Sequence, residues 1–121
     1  MGKTIHVLED DVDIGELIAF LLKEQGFEVS VFNSVASFNQ RDKQCVPMLV
    51  IVDIMLPDGN GLTVCEAWKA DKATQTIPLV LMSAYSGHRY DARTCMADGF
   101  ISKPFDIDEF LAEVKRQLGG K

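Results

Sequence analysis

MLVIVD, residues 48–53, is an apolar run that ends abruptly in an acid. Apolar runs without alternation are typical of a central strand that is covered on both faces, as in parallel sheets. On both sides of it, short apolar runs alternate with segments whose apolar residues recur at helical spacing. The sequence therefore predicts the order β-α-β-α-β-α-β-α-β-α and a parallel sheet with helices on both faces.

Working outward, the other predicted elements follow the same pattern. TIHVL, residues 4–8, predicts a first strand, and Phe27–Val31 alternates in a way that indicates a wetter strand near a sheet edge. Residues 86–98 carry only a weak apolar face. The remaining predictions are a helix through Ile14–Leu22, a short helix capped by Ser34, a helix with Leu62, Cys65 and Trp68, strands at Leu79–Met82 and Gly99–Ser102, and a helix capped by Asp106.

Length and charge narrow the classes of function. The 121 residues predict one domain, residues 1–121, with no output domain, and the net charge of −6 argues against direct nucleic-acid or anionic-membrane binding. Three cysteines without a C-x-x-C pattern indicate reduced thiols and a cytoplasmic protein. Neither a signal peptide nor an apolar run of about 20 residues is present.

Charged and hydroxyl residues follow the predicted strands. Because ligands of open α/β sheets bind beyond the carboxyl ends of the strands, we expect Glu9, Asp10, Asp53, Ser83 and Lys103 to converge on one edge. Three close carboxylates repel one another, and a hard cation such as Mg²⁺ relieves that repulsion. An Asp carboxylate can form an aspartyl phosphate, so the cluster predicts a phosphoryl acceptor.

Four motifs carry a family resemblance: VLEDD (7–11), VDIMLPDGNG (52–61), VLMSA (80–84) and ISKPF (101–105). With these motifs the chain resembles the receiver domain of two-component response regulators over roughly residues 3–118. The resemblance implies a flavodoxin-like doubly wound sheet of five parallel strands, order 2-1-3-4-5, with five helices. It also implies a phospho-acceptor signalling protein that assists its own phosphorylation and dephosphorylation and is not a turnover enzyme.

The resemblance implies partners and residue roles as well. A sensor histidine kinase or a phosphotransfer protein would supply the phosphoryl group, and a downstream protein of unknown identity would read it. The implied roles are Asp53 as phospho-acceptor, Glu9, Asp10, Asp53 and the backbone carbonyl of Met55 as ligands of Mg²⁺ (or Mn²⁺), Lys103 as phosphoryl contact, Ser83 and Phe100 as switch residues, and a cis bond at Lys103-Pro104.

Two departures from the family pattern concern the fourth helix. The span from Ser83 to Lys103 is shorter than usual, and Met96-Ala97-Asp98 replaces the common pair of small residues. We therefore predict a short or distorted fourth helix. His6 in the first strand and His88 in a predicted loop are interpreted as residues without a phosphotransfer role.

Two other functions stay open at this point. A phosphatase of the haloacid-dehalogenase class also has an Asp after a central strand, but it carries a second Asp two residues later, where this chain has Met55. A phosphorylation-independent interaction module would share the fold, but such modules lose the acids or the Lys that this chain keeps.

Overall fold

The strands and helices alternate along the chain as the apolar pattern predicts. The structure is a computed structural model that describes residues 3–119, so residues 1, 2, 120 and 121 of the predicted domain lie outside it. In chain order the elements are β1 (Thr4–Leu8), α1 (Val12–Glu24), β2 (Glu28–Phe32), α2 (Val35–Asn39), β3 (Leu49–Asp53), β4 (Met55–Leu56), β5 (Gly59–Asn60), α3 (Gly61–Ala70), β6 (Leu79–Ser83), α4 (His88–Thr94), β7 (Gly99–Ser102) and α5 (Ile107–Gln117).

Five of the strands form one parallel sheet in the order β2-β1-β3-β6-β7. This is the predicted order 2-1-3-4-5, because β4 and β5 pair only with each other in a separate antiparallel hairpin. All residues of the central strand β3 are buried, whereas β2 at the sheet edge is partly exposed, as its alternating sequence predicted. The flavodoxin-like prediction is confirmed.

The core lies in two layers, one on each face of the sheet. Leu49 and Ile51 of β3 pack into the first layer, together with α1 and α5, while Val50 and Val52 pack into the second. Trp68 anchors the second layer, since its indole N–H donates to the carbonyl of Ile77 at 3.1 Å. The sheet is thus held from both faces, and its loop ends are left to form a site.

The segment after Asp53 forms the hairpin β4–β5, which the sequence analysis did not predict. The carboxylate of Asp58, in its turn, accepts the backbone N–H groups of Val35 at 2.8 Å and Ala36 at 3.0 Å. These hydrogen bonds lower the pKa of Asp58. Asp58 therefore joins the hairpin to the first turn of α2.

The fourth helix is short, as predicted from the shortened span. It has seven residues, and its N-cap residue, Gly87, has no side chain that could cap it. The chain leaves it through Met96 at φ 67°, a left-handed conformation in which glycine is favoured and a side chain costs about 1 kcal/mol. His88 is the first residue of this helix, so its assignment to a loop was wrong.

Membrane insertion through a helix finds no support in residues 3–119. None of the helices in that part of the chain combines the length and apolar character that crossing a bilayer needs.

His6 is a buried polar residue of β1. Its ring is 2% exposed and meets Phe32 edge-on, with 5.2 Å between ring centroids. Neither ring nitrogen has a hydrogen-bond partner among the described residues. Burial, and after it the positive charge of Arg41, lower the pKa of His6 below its ordinary value of 6.5.

We expect His6 to make the fold less stable in mild acid. As the pH decreases below 6.5, the unfolded chain takes up a proton at His6 more readily than the folded chain does. The free energy of unfolding therefore decreases as the pH decreases. His6→Leu should flatten this decline in urea titrations between pH 8 and 5. Equal pH slopes for the two proteins would contradict the prediction.

Candidate functional site

The carboxyl ends of four parallel strands meet at one edge of the sheet. Glu9 directly follows β1, where its N–H donates to the carbonyl of Phe32 at 2.9 Å and continues the ladder. Asp53 is the last residue of β3 and Ser83 the last of β6. Local structure thus fixes where each side chain leaves the sheet, as the strand-end reasoning predicted.

Three carboxylates form a cluster at this edge. Glu9, Asp10 and Asp53 each offer an oxygen, and the three oxygens lie within 4.8 Å of one another. Glu9 and Asp53 are 2% and 5% exposed, while Asp10 is open to solvent. One side of the cluster is therefore buried and the other accessible.

Lys103 reaches this cluster from the loop after β7. Its Nζ lies 2.6 Å from Oε1 of Glu9 and 2.6 Å from Oδ2 of Asp53. Its backbone N–H donates to the carbonyl of Ser83 at 2.9 Å, and the bond to Pro104 is cis, as the resemblance implied. The amine thus lies against the carboxylates that the sequence predicted it would meet.

Burial and ion pairing have opposite effects on the pKa values of Glu9 and Lys103. Burial raises the pKa of Glu9 to about 7, and the hydrogen bond from Lys103 only partly offsets it. Burial alone would lower the pKa of Lys103, but its hydrogen bonds to Asp53 and Glu9 outweigh burial and raise that pKa. The site is therefore one partly buried ammonium shared by two buried carboxylates.

The backbone after β3 fixes Asp53. Its Oδ1 accepts the N–H of Met55 at 3.1 Å, while Oδ2 faces Lys103. The N–H of Gly61 donates to the carbonyl of Ile54 at 2.8 Å. Gly61 packs so closely here that a Cβ would lie 2.8 Å from the Cα of Ile54 and overlap the carbonyl oxygen of Asp53. Met55 is 65% exposed, and its contact with Asp53 is made by its backbone N–H.

Ser83 is buried at the end of β6, next to the cluster. In the register of the sheet, Met82 pairs with Asp53, which places Ser83 one step beyond the last residue of β3. Its hydroxyl oxygen accepts the N–H of Tyr85 at 3.0 Å and lies 2.6 Å from Nδ1 of His88. Sequence reasoning missed this contact of His88, because the four residues between it and Ser83 gave no periodic signal.

Phe100 lies on the neighbouring strand β7 and is half-buried against the second core layer. The guanidinium carbon of Arg89 lies 4.8 Å from the centre of its ring, and the same side chain donates to Oγ of Ser102 at 3.2 Å. Arg89 therefore covers the outer face of Phe100 with a cation–π contact.

The donor set fits a hard divalent cation. Carboxylate oxygens alone form the cluster, and Mg²⁺ prefers oxygen ligands, usually from one or two carboxylates with its remaining positions left to waters or phosphate oxygens. The exposed carboxylate of Asp10 gives solvent access on one side. Such an edge can hold a cation, a phosphoryl group and an ammonium together, which phosphoryl transfer to a carboxylate requires.

Comparison with known proteins matches most of the chain to one family. The family model for the response regulator receiver domain matches residues 5–115. The phosphate regulon transcriptional regulatory protein PhoB of Klebsiella pneumoniae is 33% identical over 95% of this chain and 51% of its own length. RpaA of Synechocystis, a DNA-binding dual master transcriptional regulator, is 30% identical over 94% of this chain and 48% of its own length. The chain thus spans about half the length of these relatives.

A solved structure is similar over nearly the whole chain. The response regulator protein TrrA of Thermotoga maritima, in complex with Mg²⁺ and BeF, is 31% identical with a TM-score of 0.86. The match covers 96% of this chain and 99% of TrrA.

One prediction is contradicted by these relatives. The acidic charge argued against direct nucleic-acid binding, yet RpaA and MtrA of Mycobacterium tuberculosis are DNA-binding regulators. The net charge of −6 describes only the matched stretch, which is about half of those proteins. The charge of one domain does not limit what the rest of a protein binds, so the inference was wrong.

Proposed function

Because the chain belongs to the response regulator receiver domain family, we propose that it is a phospho-acceptor switch in which Asp53 receives a phosphoryl group. The proposal is carried by one observation: the amine of Lys103 lies 2.6 Å from carboxylate oxygens of both Glu9 and Asp53, at the strand edge that also holds Asp10. Nucleophile and countercharges then need little movement before reaction.

In the proposed step, one oxygen of Asp53 forms a bond to phosphorus while the bond from phosphorus to the donor breaks. The donor is a phosphohistidine on a sensor histidine kinase or phosphotransfer protein. Lys103 then neutralises a phosphoryl oxygen, and Ser83 donates its hydroxyl to another. The chain assists this transfer and the later hydrolysis, and it is not a turnover enzyme.

Glu9, Asp10, Asp53 and the backbone carbonyl of Met55 would hold Mg²⁺, or Mn²⁺ in its place. When bound, the cation neutralises charge on the phosphoryl oxygens. The oxygen-only cluster and the complex of TrrA with Mg²⁺ and BeF support this assignment. We further propose a cytoplasmic location, in keeping with the free thiols Cys45, Cys65 and Cys95.

The new charge on Asp53 would bias a two-state surface. As Ser83 moves toward the phosphoryl group, space opens beside β6, and Phe100 turns inward from its half-buried position. This movement releases the contact with Arg89 and changes the surface of α4 and β7 that a downstream protein reads.

Incubation with acetyl phosphate and Mg²⁺, followed by intact mass measurement, tests the proposal. We expect one phosphate-sized adduct, which EDTA prevents and Asp53→Asn abolishes. Asp13→Asn is the matched control, because Asp13 is an exposed acid in the first turn of α1, close to the cluster in sequence. This variant should be phosphorylated like the unsubstituted chain.

Two results would contradict the proposal. No adduct under any of these conditions would favour a phosphorylation-independent interaction module. Steady release of phosphate from many organic esters would favour an Asp-nucleophile phosphatase.

A further inference from the structure

His88 makes a short contact with the proposed switch hydroxyl. Its Nδ1 lies 2.6 Å from Oγ of Ser83, a side chain that is 1% exposed. His88 itself is half-buried at the first position of α4. The contact therefore joins the end of β6 to the helix that follows it.

The hydroxyl of Ser83 has a single proton, and its use can be worked out from its partners. The oxygen already accepts the N–H of Tyr85 at 3.0 Å. With the ring of His88 neutral and protonated at Nε2, Nδ1 is an acceptor, so the hydroxyl donates its proton there. In this arrangement the proton is not available to a phosphoryl oxygen.

The ring of His88 also contacts the ring of Tyr85. The ring of Tyr85 meets it edge-on, with 4.9 Å between centroids. Gly87 leaves room for this arrangement, since a Cβ there would come within 2.6 Å of the Tyr85 ring. The imidazole is thus packed so that Nδ1 stays close to Ser83.

We propose that His88 is a positioning residue that holds the Ser83 hydroxyl in the resting state and so sets how readily the phosphoryl group engages it. The inference rests on the proposed function, because it concerns the same hydroxyl. Ser83 must leave His88 before it donates to a phosphoryl oxygen. The loss of this partly buried hydrogen bond therefore disfavours the phosphorylated state.

Titration with beryllofluoride and Mg²⁺, a stable phosphoryl mimic, measures this competition by calorimetry at about pH 8. His88→Ala should tighten beryllofluoride binding about fivefold, because the hydroxyl no longer leaves a partner. His88→Asn should restore the weaker binding, since its amide oxygen can accept the same proton. Ser86→Ala, an exposed change in the same loop, should leave binding unaltered.

The Ser83→Ala background separates this role from a merely structural one. Without the hydroxyl, adding His88→Ala should not change the affinity for beryllofluoride. Nitrogen NMR of the unliganded chain gives a second readout: the His88 ring should show protonated Nε2 and hydrogen-bonded Nδ1, and Ser83→Ala should shift the Nδ1 resonance.

Each negative outcome has one meaning. Equal beryllofluoride affinities for His88→Ala and the unsubstituted chain would overturn the role of His88 alone. So would a gain that persists in Ser83→Ala, or a ring protonated at Nδ1. Absence of any beryllofluoride binding by the unsubstituted chain would overturn the proposed function and this inference together.

Discussion

Lys103→Met is expected to bind Mg²⁺ about tenfold more tightly than the unsubstituted chain, yet to be phosphorylated on Asp53 about a hundredfold more slowly. The two effects have opposite signs because the amine has two roles. Before phosphorylation it occupies carboxylate oxygens of Glu9 and Asp53, each at 2.6 Å. In the proposed transfer it would neutralise charge that develops on the phosphoryl oxygens.

Removing the amine leaves Glu9 and Asp53 without a countercharge in a buried site. A divalent cation is then more strongly attracted, since it relieves their repulsion and no longer competes with the amine for the same oxygens. Met fills a volume similar to that of the Lys stem, so packing changes little. Calorimetric titration with Mg²⁺ and the rate of adduct formation from acetyl phosphate measure the two effects.

Lys69→Met is the matched control, because Lys69 also pairs with an aspartate, at 2.5 Å from Asp98, away from the cluster. It should change neither Mg²⁺ affinity nor phosphorylation rate. If Lys103→Met bound Mg²⁺ no more tightly than this control, the picture of an amine competing with the cation would be wrong. An unchanged phosphorylation rate would remove Lys103 from the transfer step.

Gly61→Ala should cost about 2–3 kcal/mol of stability and also slow phosphorylation. The new Cβ would lie 2.8 Å from the Cα of Ile54 and would overlap the carbonyl of Asp53. These are backbone atoms at the end of β3, so the overlap is removed only if the end of β3 shifts. A shift there moves the carboxylate of Asp53 away from Lys103.

Gly59→Ala provides the control, since Gly59 lies only two residues before Gly61, in β5. Its Cβ would approach the side chain of Val35 at 2.8 Å, and a side chain can rotate or shift where a backbone cannot. We therefore expect a smaller loss in denaturant unfolding and near-normal adduct formation. Equal losses of stability and of adduct formation for the two variants would show that the close backbone approach at Gly61 does not hold Asp53 in place.

The sheet and the charged cluster were predictable because both depend on local pattern and on strand ends. The unbroken apolar run before Asp53 predicted a central strand, and β3 is buried throughout. Parallel strands bring their carboxyl ends together, which sufficed to place Glu9 and Lys103 beside Asp53. The roles of these residues in phosphoryl transfer stay predictions.

Other features depend on side-chain geometry that no spacing encodes. The bond between His88 and Ser83 needs a particular loop path, and the residues between them have no periodicity. The hairpin β4–β5 was not predicted, because turn residues indicate that the chain reverses direction but not that the flanking residues pair as strands. The nucleic-acid inference failed for another reason, since net charge was applied beyond the stretch it describes.

The carboxylate of Asp58 has a mechanical consequence. Because it accepts the N–H groups of Val35 and Ala36, two hydrogen bonds connect the loop after Asp53 to the first turn of α2. Displacing either one alone breaks both hydrogen bonds, and water must then replace the carboxylate at the two N–H groups. If Asp53 is phosphorylated as proposed, a shift of this loop would reach α2 through Asp58, so α2 would respond to the state of Asp53 in addition to α4.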